Sequence, residues 1–227
     1  MDLPNSDACD RLPGSDEPIV RRLGTTAYRE TWGAMQAFTD QRGAGTRDEL
    51  WLTEHPPVYT LGLAGRVSHL HPAAAEGAIE IVHVDRGGQV TYHGPGQAVM
   101  YVLLDLKRRR LGVRQLVRML EQAVIDCLGG WGIEAHGRVD APGVYVGAAK
   151  ISALGLKVRR GASYHGLALN VDMDLSPFDA IDPCGYPGLA VTQARALGLD
   201  ASTGEMADRL AALFIASLQA RFPIVPE

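Results

Sequence analysis

The sequence has few of the features that stabilise small secreted proteins or anchor proteins in membranes. Its 227 residues include only three cysteines, Cys9, Cys127 and Cys184, an odd number without C-x-x-C spacing. This pattern disfavours a disulfide framework and a structural zinc site. No apolar run reaches the ~18 residues that a membrane span needs. The formal net charge of −4 argues against a general nucleic-acid-binding protein.

The N-terminal segment is acidic, contains three prolines by residue 18 and has no apolar core, so it is not a secretory signal. We expect residues 1–17 to be a disordered acidic leader and the protein to be cytoplasmic. Beyond it the chain shows no repeat, linker or change of composition, which indicates one domain over residues 18–227. The length is sufficient for a sizeable core without covalent staples.

Hydrophobic periodicity predicts an α+β domain with helices packed on a largely antiparallel or mixed sheet. Three helices are expected: one capped by Thr25 or Thr26 and running to about Arg42, one over 113–128, and one over 204–219 capped by Thr203. Cys127 falls in the second helix as a small core residue. Extended runs are expected at 19–24, 49–55, 58–62, 79–84, 98–106, 144–151, 156–161 and 163–171.

A glycine-rich run from Arg86 to Gln97 stands between two of these extended segments and is expected to form a binding loop. Glycine lets backbone N–H groups approach a ligand closely because it has no Cβ. The run has neither the P-loop nor the Rossmann spacing. Arg86 is expected to contact an anion or to fix the loop on a carboxylate. The residues of the run are Arg86, Gly87, Gly88, Gln89, Val90, Thr91, Tyr92, His93, Gly94, Pro95, Gly96 and Gln97.

Cys184 lies between turn-forming residues, in Asp182-Pro183-Cys184-Gly185-Tyr186, so its thiol is expected on a shaped loop. A buried, inert cysteine is the alternative. A loop thiol needs a positive neighbour to ionise near neutral pH. Lys150 is the only ionisable residue in the apolar run 147–155 and is the candidate for that neighbour. The alternative for Lys150 is a strand lysine that points to solvent.

Two further features are open to a functional or a structural interpretation. His93 and His165 each lie between a tyrosine and a glycine, and we favour ligand binding over catalysis for both. Six basic residues fall within positions 107–118. Such a cluster is usually a solvated face, but on an acidic chain it also suits an acidic protein partner. The six are Lys107, Arg108, Arg109, Arg110, Arg114 and Arg118.

The glycine-rich run, Gly147–Ile151, Arg160–Asn170 and Asp182–Tyr186 together resemble the LipB family of octanoyl-[acyl-carrier-protein]:protein N-octanoyltransferases of lipoate biosynthesis. The resemblance covers roughly residues 20–200 of the chain. It implies a fold similar to the catalytic domains of biotin and lipoate protein ligases. The chain departs from the family pattern at Ala153, where serine is expected, and at Asp182, where asparagine is expected.

By this resemblance, Cys184 is the acyl-thioester nucleophile and Lys150 lowers the pKa of its thiol. The substrate-binding segments fall on residues 86–94 of the glycine-rich run and on Ala153, Leu154, Gly155, His165, Gly166, Leu167 and Ala168. The donor is an octanoyl-acyl carrier protein, and the acceptors are lipoyl domains of 2-oxoacid dehydrogenases and the glycine cleavage H protein. No cofactor, metal, nucleic acid or membrane is expected to take part.

The chemistry that the resemblance implies is transfer of octanoyl from one thioester to another and then to a lysine amine, which needs no ATP. Backbone N–H groups of turns at 153–155 or 166–168 are expected to stabilise the oxyanion. Two alternatives remain. An ATP-dependent lipoate or biotin protein ligase would use Lys150 for phosphate and would not need Cys184. A non-catalytic protein would only bind acyl chains or acyl carriers.

Overall fold

Two sheets carry the fold in residues 16–222 and 224, the part of the chain that the computed structural model describes. The larger sheet has the order β1-β2-β6-β10-β9-β8-β7, and the smaller has the order β4-β3-β5. Only the pairs β1–β2 and β3–β4 are parallel among these strands. The strands are β1 Ile19–Thr25, β2 Glu49–Glu54, β3 Val58–Leu61, β4 Glu80–His83, β5 Val90–His93, β6 Gln97–Leu103, β7 His136–Gly137, β8 Val144–Val146, β9 Ala149–Arg159 and β10 Ala162–Asn170. The predicted α+β class with a mixed sheet is confirmed.

Helices cover both faces of the larger sheet because its central strands are apolar on both sides. They are α1 Tyr28–Gln41, α2 Pro72–Glu76, α3 Val113–Gly129 and α4 Thr203–Arg221. On β6, Met100 packs with Leu116 of α3 and Phe214 of α4, whereas its neighbour Tyr101 packs with Met35 of α1 on the opposite face. Side chains of a strand alternate between faces, so one strand joins both halves of the core.

The predicted helix caps are displaced from their expected positions. Helix α1 begins after Ala27, whose side chain makes no capping bond, so Thr25 and Thr26 are not its cap. Helix α4 is capped by Ser202 rather than Thr203. The Ser202 hydroxyl accepts from the backbone N–H of Glu205 at 3.2 Å, and the Glu205 carboxylate accepts from the backbone N–H of Ser202 at 2.8 Å. The spacing of a capping box selects Ser202, with glutamate three residues on.

Three predicted boundaries were wrong. The run expected over 144–151 is divided into β8 and β9 by a turn at 147–148. The glycine-rich run is not one loop, because Val90–His93 forms β5 and pairs with β3. The extended runs 144–151 and 156–161 are not separated by a turn at 153–155. Strand β9 is continuous there, with Ala153 opposite Ala168 and Gly155 opposite Gly166 of β10. Small residues on both strands weaken the hydrophobic alternation that identifies a strand from sequence. Backbone hydrogen bonding between strands does not depend on side-chain size, so the pairing forms nonetheless.

The last two residues of the predicted leader contact the domain. The Arg109 guanidinium donates to the Asp16 carboxylate at 3.0 Å and to the Asp16 carbonyl at 2.7 Å. Arg47 donates to the Glu17 carbonyl at 2.9 Å. Residues 1–15, including Cys9, lie outside the described residues. None of the described helices has the length and apolar character required to cross a bilayer.

Candidate active site

Cys184 lies in a short turn, Pro183–Gly185, that contacts the smaller sheet. Its φ of 56° is in the left-handed region, which non-glycine residues rarely adopt and which occurs more often at functional sites. The turn is closed by the Gly185 N–H, which donates to the Asp182 carbonyl at 2.8 Å. A Cβ on Gly185 would lie 2.4 Å from Oε1 of Gln89, so the glycine permits the side chain of Gln89 to pack on the turn.

Lys150 lies beside Cys184 and is buried, with 3% of its surface exposed. Its Nζ donates to the Cys184 Sγ at 2.8 Å and to the Pro142 carbonyl at 2.9 Å. Nζ also lies 5.3 Å from the ring centroid of Tyr145. A Cβ at Gly143 would lie 2.3 Å from Cε of Lys150, so this glycine leaves space for the lysine. The solvent-directed alternative for Lys150 is therefore excluded by its position.

A cavity extends from Cys184 into the interior between β5, β9 and β10. It collects thirteen of the sixteen substrate-binding residues expected from the sequence. We call it the acyl cavity, after the group that the family resemblance assigns to these residues. These thirteen are Arg86, Gly88, Gln89, Val90, Thr91, His93, Ala153, Leu154, Gly155, His165, Gly166, Leu167 and Ala168. The structure adds three lining residues that sequence reasoning did not place in the site, Tyr28, Val99 and Tyr101.

Three expected residues lie elsewhere. Gly87 lines a separate groove on the outer side of Cys184. Tyr92 points to the opposite face of β5, where it packs with Tyr59 and Phe178. Gly94 follows β5 at the turn into β6. The alternation of a strand explains the case of Tyr92, which faces away from its cavity-lining neighbours Thr91 and His93.

The floor of the acyl cavity is formed by Tyr28, His93 and Tyr101 with His55 behind them, and both of its histidines are uncharged. Burial lowers the pKa of His55 to about 4 and that of His93 to about 3, so both rings are uncharged at neutral pH. Burial also raises the pKa of Tyr28 to about 12. His55 Nε2 lies 2.6 Å from the Tyr101 hydroxyl, and His93 Nδ1 donates to Gln97 Oε1 at 2.7 Å. These bonds hold the aromatic floor in a fixed arrangement.

Asp85 organises this floor, and no motif or periodicity in the sequence points to it. Its carboxylate accepts from Trp32 Nε1 at 2.9 Å, from His165 Nε2 at 3.0 Å, and from the Tyr164 hydroxyl. Burial raises the pKa of Asp85, but the hydrogen bonds from His165, Tyr164 and Trp32 outweigh this effect and hold the pKa below its ordinary value. His165 has φ 61°, so its placement beside Asp85 requires a left-handed backbone that no periodicity reveals.

Arg86 is a structural part of the cavity wall rather than an exposed anion contact. It is 7% exposed, and its Nη2 donates to the Thr60 carbonyl and hydroxyl at 2.8 Å and to the Gln89 carbonyl at 3.0 Å. The guanidinium thus ties the turn before β5 to strand β3. Of the two roles expected for Arg86, loop locking is observed, with backbone oxygens and a hydroxyl in place of a carboxylate.

The groove on the outer side of Cys184 meets the acyl cavity at the thiol. We call it the outer groove; its volume is about 440 Å³. The two share Gly88, Gln89, Leu154, Gly155 and Cys184. Cys184 therefore stands at the junction between an enclosed cavity and an open channel. This arrangement lets a group enter by the groove and leave its apolar tail in the cavity.

The backbone near Cys184 differs from the turns expected at 153–155 and 166–168, because both segments are strand. Residues 166–168 of β10 pair with β6 on one side and β9 on the other, which uses their N–H groups. On β9, the pairing with β8 ends at Ser152, and the Leu156 carbonyl accepts from Gly87 on that same edge. By alternation the Leu154 N–H points to this edge, beside the outer groove.

The basic residues of 107–118 divide into two groups. Arg108 and Arg109 turn inward and donate to the Asp48 carboxylate at 2.9 and 2.6 Å. Lys107, Arg110, Arg114 and Arg118 are exposed. Only the second group can meet a partner.

The two departures from the family pattern have different surroundings. Asp182 lies 3.0 Å from His71 Nε2, and this hydrogen bond raises the pKa of His71. The pair ties the Cys184 turn to the start of α2. Ala153 lines the acyl cavity without a hydroxyl. Within the described part of the chain, no group of three or more histidine, cysteine, aspartate or glutamate residues is arranged to hold a metal ion.

Comparisons with known proteins agree with this geometry. Residues 27–215 match the family described as the lipoyl protein ligase A/B catalytic domain. The chain is 65% identical to the octanoyltransferase of Thiobacillus denitrificans over 182 residues, which is 80% of this chain and 82% of that protein. It is 59% identical to the octanoyltransferase of Chromobacterium violaceum over 192 residues, 85% of this chain and 91% of that protein.

Among solved structures, the fold is similar to that of lipoate-protein ligase A bound with ATP, with a TM-score of 0.75 at 19% identity. The match covers 89% of this chain and 86% of the other. It is also similar to the biotin protein ligase of Aquifex aeolicus, with a TM-score of 0.52 at 12% identity, over 89% of this chain and 71% of the other. At such low identity these matches show a shared fold alone.

Proposed function

The chain belongs to the family of the lipoyl protein ligase A/B catalytic domain, and we infer that it is an octanoyltransferase of protein lipoylation that carries the octanoyl group on Cys184. As an octanoyltransferase it is an acyltransferase. The thioester on Cys184, the acyl carrier protein as donor and the lipoyl-domain lysine as acceptor are our proposal. The observation that carries it is the 2.8 Å contact between Lys150 Nζ and Cys184 Sγ at the mouth of the acyl cavity.

Lys150 stabilises the nucleophile. An ammonium at hydrogen-bond distance from sulfur favours the thiolate, which is the reactive form of cysteine. The lysine is held by the Pro142 carbonyl and by backbone bonds on both sides, from Lys150 N–H to the Ala190 carbonyl and from Thr192 N–H to the Lys150 carbonyl. The sulfur therefore meets a positioned cation rather than a mobile one.

In the first step the Cys184 thiolate attacks the octanoyl thioester of the carrier. The bond from Sγ to the acyl carbon forms, and the bond from that carbon to the carrier sulfur breaks. Lys150 gives its proton to the departing thiolate, which leaves as a thiol, and Lys150 becomes neutral. Exchange of one thioester for another is nearly isoenergetic, so a thiol nucleophile suits this step.

In the second step a lysine of the acceptor enters. Neutral Lys150 takes one proton from the ammonium group of the acceptor lysine, which has an ordinary pKa of about 10.4. The amine attacks the acyl carbon, the Cys184 thiolate leaves, and the second proton lost by the nitrogen passes to solvent. The amide is formed, and the thiolate and the Lys150 ammonium are both restored. An amide is more stable than a thioester, so no ATP is required.

The Leu154 N–H is our choice for the oxyanion donor in both steps. It lies on the unpaired edge of β9, and Leu154 lines both the acyl cavity and the outer groove beside Cys184. A backbone donor costs no reorganisation when charge develops on the carbonyl oxygen. The same choice explains why a hydroxyl at position 153 is not needed.

The test is intact-mass spectrometry of the protein mixed with octanoyl-acyl carrier protein and no ATP. We expect one octanoyl adduct that hydroxylamine removes. It should be absent in Cys184→Ala and present in the matched control Cys127→Ala, which removes a buried thiol of α3. No adduct, with labelling of a lipoyl domain only when octanoate and ATP are supplied, would show a ligase instead. Donor binding without any transfer would show a non-catalytic carrier-binding protein.

A further inference from the structure

One side of the outer groove is formed by helix α3, which carries valines and exposed arginines that the acyl transfer steps do not use. Val113 and Val117 of α3 form part of its wall, and Val113 is 44% exposed. A helix turns by about 100° per residue, so Arg114 and Arg118 lie next to these valines, on the solvent side. The core face of α3, which includes Leu116, lies on the other side of the two valines. The two valines therefore separate the core from two arginines at the border of the groove, whose lining also includes Asp140 in its ion pair with Arg138.

These arginines differ from most others on the surface. Arg29, Arg159 and Arg195 each pair with a carboxylate. The side chain of Arg114 has no hydrogen bond or ion pair among the described residues, and Arg118 acts only at a distance, through its charge, on Glu121. Unpaired arginines on a chain of net charge −4 make a local positive surface that is available to a partner.

We propose that the outer groove, with Arg114 and Arg118 at its border, docks an acidic carrier protein that presents the acyl thioester at the end of an extended arm. The proposal rests on the proposed function, since the arm must deliver its thioester to Cys184. The groove is open at the surface and ends at the thiol, and its apolar residues Val117, Leu154 and Leu156 suit a chain of methylene and amide groups. The arginines meet the acidic body of the partner at the entrance.

Charges at the border of an interface act mainly on the association rate and on its salt dependence. Reversal of one or both arginines should therefore lower kcat/KM for the carrier protein at low ionic strength by about tenfold or more. The same change should leave a small thioester unaffected, because a pantetheine thioester has no acidic body to steer. Neither arginine lines the acyl cavity or contacts Cys184 or Lys150.

The experiment compares Cys184 acylation by octanoyl-acyl carrier protein and by octanoyl-pantetheine, in the wild type, Arg114→Glu and Arg114→Glu/Arg118→Glu. The matched control is Arg209→Glu, which changes the net charge as Arg114→Glu does. Arg209 is exposed beside Gly130, at the far end of α3. We expect a lower kcat/KM with the carrier protein and an unchanged kcat/KM with octanoyl-pantetheine. The decrease should be absent in Arg209→Glu and should disappear at high salt.

Three outcomes overturn the proposal. The first is a rate of acylation by the carrier protein that stays at the wild-type value. The second is a loss of that rate in Arg209→Glu as large as in Arg114→Glu. The third is a loss confined to transfer from the acyl-enzyme to a lipoyl domain. The last result would assign the surface to the acceptor. Failure of the proposed function is distinct, because then neither donor acylates the wild type.

Discussion

The polar floor of the acyl cavity predicts a preference for a polar chain end at one chain length. Three atoms of lining residues, His165 Nδ1, Arg86 Nε and Gln89 Oε1, are buried without a hydrogen-bond partner among the described residues. Gln89 Oε1 packs on the Cys184 turn, which leaves His165 Nδ1 and Arg86 Nε for the end of the chain. A methyl-terminated chain that reaches these two atoms leaves them unpaired. A terminal hydroxyl at the same place offers both a donor and an acceptor.

The magnitudes decide the direction. Each buried methylene gains about 0.8 kcal/mol, so two more carbons gain about 1.6 kcal/mol, or roughly 15-fold in kcat/KM. Pairing an atom that is otherwise buried and unpaired gains about 1–3 kcal/mol, so a hydroxyl that pairs both atoms gains about 2–6 kcal/mol. A hydroxyl in place of the terminal methyl gives up about 0.8 kcal/mol of apolar burial. Where the chain end reaches His165 and Arg86, the hydroxyl should therefore raise kcat/KM by at least about sevenfold over the methyl.

The assay is kcat/KM for Cys184 acylation by a series of pantetheine thioesters from hexanoyl to tetradecanoyl. At each length a methyl-terminated chain is paired with a hydroxyl-terminated chain of the same number of heavy atoms, such as nonanoyl with 8-hydroxyoctanoyl. We expect at least one length at which the hydroxyl compound is the better donor. A hydroxyl compound that is the worse donor at every length would contradict this prediction.

Three further predictions concern buried charges. Lys150→Met should lower the rate of Cys184 alkylation at pH 7 by at least about tenfold, since opposite charges at such close range attract by several kcal/mol. The control is Lys157→Met. Equal pH–rate profiles for the two variants would show that Lys150 does not stabilise the thiolate. Asp48→Asn should destabilise the fold by about 3–5 kcal/mol, because the buried Arg109 loses its buried charge partner and keeps only the partly exposed Asp16. Calorimetry should show a melting temperature about 6–20 °C lower. A loss within 1 kcal/mol would contradict the buried-pair argument. Asp85→Asn should lower the free energy of unfolding at pH 7. Since the pKa of Asp85 is depressed in the folded state, the difference in this free energy from the wild type should shrink as pH falls below about 4. A difference that is independent of pH in denaturant unfolding would contradict this prediction.

Sequence periodicity predicted those elements whose pattern is local. Helix α3 was expected over 113–128 and is observed as Val113–Gly129, because its apolar stripe recurs at helical spacing and two glycines follow. Strand β5 was not predicted, because its four residues lie between Gly87–Gly88 and Gly94–Gly96 and so resemble part of a loop. Its extended form depends on pairing with β3. The turn expected at 153–155 is absent for the same reason. These residues pair with 166–168 of β10, and a local pattern does not show this pairing.

The candidate site shows the same division. Motifs that resemble a known family located Cys184, Lys150 and most of the residues that line the acyl cavity. Asp85 and Tyr28 were not found, because neither carries a local signal and each acts through partners distant in sequence. The inward turn of Arg109 was also unexpected, because a charge run gives no sign of which members meet a buried carboxylate.

Residue types and short spacings were sufficient to predict the α+β class, the Cys184–Lys150 pair and most of the segments that line the acyl cavity, because they set chemistry and local backbone. The packing of remote segments places Lys150 Nζ 2.8 Å from Cys184 Sγ, although 34 residues separate them. It also brings the uncharged rings of His55 and His93 to the cavity floor and leaves the Arg114 side chain without a hydrogen bond or ion pair among the described residues. Distances, burial and charge pairing arise when remote segments pack together, and no local pattern contains them.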